Sequence, residues 1–196
     1  MLSSKERTTY NKYALGIVKS AQYSALYVTS GNPYLDEHAL ETSNAALNFF
    51  APAHEISYYK PGELARCLRN TDFLFLNRHE ASVAENMLGC SIGRMPLMFN
   101  MRAVIVTHGR NGSVIHTKDG ETRIPAYIPK TVIGNAGTGD AYAAAFVSEY
   151  MKTGDVAGSA HIASATASFV VEKLGCQSNI PSKTAVMKRL RQQKQA

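Results

Sequence analysis

Four short segments of this chain read as apolar right through: Ala25–Ser30 (ALYVTS), Ala46–Phe50 (ALNFF), Asp72–Leu76 (DFLFL) and Ala103–Thr107 (AVIVT). A strand with one wet face alternates polar and apolar residues, whereas a continuously apolar run needs cover on both faces. Helical stretches are predicted between these runs: Leu35–Thr42, Pro61–Leu68 with proline in its first turn, and Glu80–Leu88 ending at Gly89. Buried strands alternating with helices predict a three-layer α/β/α fold around a mostly parallel sheet.

The second half of the chain is organised differently. Gly112–Thr117 and Arg123–Ala126 bracket Asp119-Gly120, a hairpin signal. Asp140–Met151, rich in alanine and aromatics, predicts a buried helix closing near Gly154. Ala157–Leu174 predicts a helix surfaced by small residues, Pro181 interrupts, and Lys183–Gln193 predicts a final basic helix. Residues 90–100 show no decisive pattern, and Lys12–Ser20 suits a short helix. No linker divides the chain. We therefore expect an N-terminal extension or partial helix (1–23), one α/β domain (24–182) and a basic C-terminal helix or tail (183–196).

Several function classes are disfavoured by composition. The net charge is +6, but all six basic residues from Lys173 onward lie beyond the last acidic residue, and the rest balances 15 against 15. Basicity confined to one end reads as a solvated helix terminus and argues against nucleic-acid binding. The three cysteines, Cys67, Cys90 and Cys176, are too dispersed for a zinc knuckle or a disulfide framework, so reduced thiols and a cytoplasmic setting are expected. The histidines show no metal-ligand spacing, no membrane-length apolar run occurs, and the polar, mixed-charge residues 1–13 lead us to expect no signal peptide.

The run Gly134-Asn135-Ala136-Gly137-Thr138-Gly139-Asp140 leads directly into the helix AYAAAFVSEYM. Glycines let backbone N–H groups approach a ligand, and the helix directs its positive end to the same place. Together they suit an anion such as a phosphoryl group. Asp140 is then anomalous, because a carboxylate repels phosphate; it needs either a capping role or a chemical one. A dinucleotide-binding GxGxxG is disfavoured because Tyr142 stands at the third small position, and no GxxxxGK[ST] P-loop occurs.

The run ending Gly137-Thr138-Gly139-Asp140 resembles the GAGD signature of the ribokinase-type (PfkB) carbohydrate kinases, which include adenosine kinases. Three further stretches agree in order and spacing. Asp72–Glu80 resembles the family's strand followed by N-x-x-E, which implies Asn77 and Glu80 near the nucleotide phosphates and magnesium. Read locally, Asn77 is a turn residue and Glu80 a solvated first-turn acid. Val104–Ser113 is similar to the family's T-x-G-x-x-G-S, implying ATP contacts from Thr107, Gly109 and Gly112; an ordinary strand-to-hairpin turn has the same residues. Ala163–Pro181 resembles the late helix and loop flanking adenine, implying Ser164 and Asn179 near the nucleotide or ion site, although both suit structural roles. Asn48–Pro52 is similar to an earlier strand end and leans toward the nucleoside kinases. The likeness runs from about Ser24 onward.

The resemblance implies an ATP-dependent phosphotransferase acting on a sugar or nucleoside hydroxymethyl group, with Mg2+ bridging the ATP phosphates. Asp140 would be the catalytic base, and the amides of Gly137, Thr138 and Gly139 the anion hole. Two departures matter. Gly134-Asn135 replaces the family's Asp-Thr, which puts monovalent-cation activation in question, and Thr138 replaces a small alanine. The family's N-terminal strands, β lid and Gly-Gly segment also lack counterparts, so a homo-oligomer or a partner covering that half is a further expectation. The alternatives are a truncated or pseudokinase nucleotide-binding protein without stand-alone activity, an NAD-binding protein, and a nucleic-acid binder acting through residues 183–196.

Overall fold

The computed structural model describes residues 22–29 and 31–193. The helix expected at Lys12–Ser20 lies outside them. Six strands form one sheet in sequential order: β1 (Leu26–Thr29), β2 (Asn48–Ala51), β3 (Phe73–Asn77), β4 (Ala103–Thr107), β5 (Ser113–Thr117) and β6 (Gly120–Ile124). β1, β2 and β3 pair in parallel, with Val28 opposite Phe50 and Phe49 opposite Phe73. The fold is ribokinase-like, a mostly parallel sheet flanked by helices. The expected three-layer architecture is therefore observed.

The chain packs as two compact units. The first comprises the described residues up to Ile105 together with His116–Gly120. Its helices are α1 (Pro33–Glu41), α2 (Pro61–Arg69), α3 (Arg78–Leu88) and the short α4 (Met95–Met98). Phe49, Phe73, Leu64, Leu68 and Leu74 are almost fully buried, and the Phe49 and Phe73 rings stack at 5.0 Å. Burying each such side chain stabilises the fold by roughly 1.5–3 kcal/mol, which explains why these strands carry no alternation. Pro61 opens α2, where the Glu63 carboxylate accepts from the Lys60 N–H at 2.8 Å. Gly89 ends α3 in the left-handed region at φ 61°, as its sequence position suggests. The undecided 90–100 stretch folds into a 3-10 turn at Ile92–Arg94 and α4.

The second unit holds Val106–Ile115 and residues from Glu121 onward. Here α5 (Thr138–Thr153) and α6 (Val156–Val170) pack on each other, and α7 (Lys183–Gln193) packs on α6. The small residues of α6 permit close approach, and Ala160, Ala163 and Ala165 are completely buried. Its buried hydroxyls find carbonyl acceptors: Ser159 donates to Asp155 O, Thr166 to Ile162 O and Ser168 to Ala165 O.

Three expectations need correction. β6 begins at Gly120 rather than Arg123, because the turn is tighter than the residue pattern suggested. The helix expected to reach Leu174 stops at Val170, where the Val171 carbonyl instead accepts from the N–H groups of Ile133 (2.8 Å) and Gly134 (3.3 Å). The C-terminal basicity is not wholly solvated either: Arg189 is buried and ion-paired to Glu172 at 2.7 Å.

Candidate active site

In the second unit, the glycine loop enters α5 through Gly137, the N-cap, at φ 73°. Any other residue there is strained, and a Cβ would lie 2.5 Å from Cys176 Cβ. The Thr138 hydroxyl donates to Asn135 O at 2.7 Å, and the Thr138 N–H points to the same carbonyl at 3.2 Å. The first regular helical bond runs from Ala141 N–H to Gly137 O. Helix geometry leaves the N–H groups of Gly139 and Asp140 without an intrahelical acceptor. Both residues are exposed and lie at the positive end of α5.

The helix starts two residues earlier than the pattern predicted, which overturns the capping reading of Asp140. Gly137 occupies the cap, and no side-chain cap bond is made. Asp140 sits in the first turn with its carboxylate exposed. Tyr142, which disfavours a dinucleotide fingerprint, is buried with its hydroxyl 2.8 Å from that of Ser113. An aromatic residue amid alanines was its only sequence signal.

The other candidates in this unit have mixed settings. Thr107 ends β4 half-buried, and Gly109 is left-handed at φ 57° with open space beside it. Gly112, at φ 84°, presses its backbone on the Ile124–Ala126 segment, where a Cβ would lie 2.8 Å from the Ala126 nitrogen. It therefore has a structural task whatever it binds. The Ser164 hydroxyl donates to Pro125 O at 2.8 Å, and Asn179 Nδ2 donates to Phe169 O at 2.6 Å. Both side chains bridge segments of the unit.

In the first unit, Asn77 and Glu80 form a reciprocal cap on α3. Asn77 Oδ1 accepts from the Glu80 N–H at 2.9 Å, while Glu80 Oε2 accepts from the Asn77 N–H at 2.8 Å. Glu80 Oε1 accepts from Asn77 Nδ2. Glu80 is buried rather than solvated, and burial pushes its pKa above the ordinary range, opposed by the Asn77 backbone bond. Among the described residues no cluster of three or more metal-binding side chains occurs. Mg2+ in phosphoryl transfer needs few protein carboxylates and keeps several waters. With both side chains engaged in the cap, the pair fits a water-mediated role.

Residues 5–183 match the pfkB family carbohydrate kinases. The chain is 37% identical over 166 residues to a nucleoside kinase of Methanocaldococcus jannaschii, covering 84% of this chain and 54% of that protein. It is 32% identical to a nucleoside kinase of Methanothermobacter thermautotrophicus, covering 88% of this chain and 55% of that one. The crystal structure of the Methanocaldococcus jannaschii nucleoside kinase superposes with a TM-score of 0.82 at 36% identity, over 86% of this chain and 56% of that chain. The chain thus spans about half the length of the curated relatives it matches. The match reaches upstream of the sequence resemblance and includes the glycine loop, Asp140 and the Asn77–Glu80 cap, so the chain belongs to the pfkB family of carbohydrate kinases.

Proposed function

We propose that this chain carries the nucleotide-binding and catalytic part of an ATP-dependent phosphotransferase whose acceptor is a hydroxymethyl group of a nucleoside or sugar. The observation that carries the reading is Asp140, an exposed carboxylate with no capping bond, beside the open amides of a helix N-terminus. The two nucleoside-kinase relatives above 30% identity favour a nucleoside acceptor.

In this reading Asp140 accepts the acceptor hydroxyl proton as its oxygen bonds to the γ-phosphorus. The bond from that phosphorus to the β–γ bridging oxygen breaks, and ADP leaves. The amides of the Gly137–Gly139 turn and of Asp140 hold the charge on the transferring group. Because Thr138 N–H also faces Asn135 O, the Gly139 and Asp140 amides carry most of that task. Magnesium, when bound, would neutralise phosphate charge, and the family resemblance names Asn77 and Glu80 as the residues that would hold it through water. Val132, Ile133, Leu174 and Ile180 are exposed apolar residues on the segments flanking the loop. A purine base would cover such surface. Thr107, Gly109 and Gly112 contribute ATP contacts, while Ser164 and Asn179 hold the flanking segments.

A second reading is a nucleotide-binding protein without turnover. It is favoured by Gly134-Asn135, which supply no carboxylate for a monovalent cation. The deciding experiment measures ADP formation from Mg-ATP against a panel of nucleosides and sugars, with a binding assay in parallel. Acceptor-dependent ADP formation supports the kinase; nucleotide binding with no turnover on any acceptor supports the second reading.

A further inference from the structure

Two irregular segments flank the glycine loop in the second unit: residues 125–137 before α5 and residues 171–182 after α6. Neither has a ladder of its own, so their anchors must lie elsewhere. The start of the first is tied to α6 by Ser164, which donates to Pro125 O at 2.8 Å, and by the Tyr127–His161 contact at 2.9 Å; its loop-side end is held by three backbone donors. Lys130 N–H donates to Glu172 Oε1 at 2.8 Å, and the Ile133 and Gly134 N–H groups donate to Val171 O. The second is held through Asn179, whose Nδ2 donates to Phe169 O at 2.6 Å and approaches Glu172 Oε2 at 3.5 Å. The loop-side end of the first segment and the second segment therefore share one anchor, residues 169–172, and the Glu172 carboxylate serves both.

That carboxylate has one strong partner. Arg189 of α7 donates from Nη2 to Glu172 Oε1 at 2.7 Å and from Nη1 to Ser168 Oγ at 2.8 Å. Its guanidinium lies 3.3 Å from the centre of the Phe169 ring. Both side chains of the pair are about nine-tenths buried. A planar guanidinium fixes a carboxylate's orientation as an ammonium cannot. Without it, Glu172 would be a buried charge released from its rotamer, and the Lys130 anchor would go with it.

We infer that Arg189, on the basic C-terminal helix, is a positioning residue for nucleotide binding: through Glu172 it holds the two segments that flank the glycine loop. Its basicity is neither a nucleic-acid contact nor a solvated helix end. The inference rests on the phosphotransferase reading for the ligand, but the anchoring itself is independent of it.

The test compares wild type, Arg189→Met and Arg189→Lys on the full chain. Amide exchange without ligand reads Lys130, Ile133 and Gly134, with Leu74 and Leu76 of β3 as fold controls. ADP and Mg-ATP affinities are measured alongside. Methionine keeps apolar cover on Phe169 but removes the donors. The expected result is faster exchange at Lys130, unchanged exchange in β3, and nucleotide binding weakened by about 10- to 100-fold. Lysine, which keeps the charge but not the fork, should recover part of both losses. Where turnover is measurable, KM for Mg-ATP should rise more than kcat falls, because the Asp140 turn has its own bonds. Unchanged Lys130 exchange in Arg189→Met overturns the inference, as does faster exchange with wild-type nucleotide affinity. A wild-type chain that binds no nucleotide overturns the phosphotransferase reading and this inference together.

Discussion

The hydroxyls of Ser113 and Tyr142 lie 2.8 Å apart in the interior of the second unit. Ser113 opens β5 and closes the T-x-G-x-x-G-S stretch; Tyr142 stands two residues beyond Asp140. Their bond thus fixes the rotation of the helix turn that presents the proposed base. Burial pushes the Tyr142 phenol up to about 12, so the bond persists through neutral pH. Tyr142→Phe leaves the Ser113 hydroxyl unsatisfied and should cost about 1–3 kcal/mol. Ser113→Ala should cost a similar amount, and the double variant less than the sum of the two. Denaturant unfolding of the four proteins measures this coupling; strictly additive losses would contradict it.

Gly137→Ala should be costly for two reasons. The backbone is left-handed, and the new Cβ would crowd Cys176. We expect about 1–3 kcal/mol of destabilisation, with phosphoryl transfer falling further than stability alone explains. Thermal unfolding and ADP release measured on the same sample separate the two effects. Gly139→Ala is the control, since a Cβ there meets nothing within 4 Å; it should leave stability within about 1 kcal/mol of wild type.

Glu80 supplies a pH test. Its folded-state pKa is raised above the ordinary 4.5, chiefly by burial. The stability it contributes is therefore fully present below 4.5 and is lost as pH rises through the raised folded value. Glu80→Gln removes that dependence. Whatever its offset at low pH from the lost Asn77 Nδ2 bond, the variant should gain on wild type as pH rises from 4 to 7. Urea unfolding at several pH values reads the trend; a gain by wild type over that range would contradict the assigned burial.

The sequence was most legible where one physical demand dominated. Phe49, Phe73 and Leu74 had to be buried on both faces, so their runs announced a covered parallel sheet. Gly89 and Gly154 announced helix ends because few other residues accept a left-handed backbone. The Asn77–Glu80 spacing was visible as a motif, but its reciprocal cap and burial were not, since an acid in a first turn is usually wet. Asp140 is anomalous in the sequence, yet whether it caps α5 depends on where the helix begins. Thr138, a weak cue, lies inside the helix because Gly137 takes the cap. Arg189 was hidden altogether. A basic residue in a basic helix looks solvated until its partner, 17 residues away, is placed beside it.

Turnover by Asp140→Asn, with nucleotide binding measured in parallel, shows whether Asp140 is the base. Asparagine keeps the size and the exposed position but cannot accept the acceptor's proton at neutral pH. Acceptor-dependent ADP formation should fall by about 10²- to 10⁴-fold, with ADP affinity and melting temperature close to wild type. Turnover by Asp140→Asn within a few-fold of wild type would contradict the assignment of Asp140 as the base.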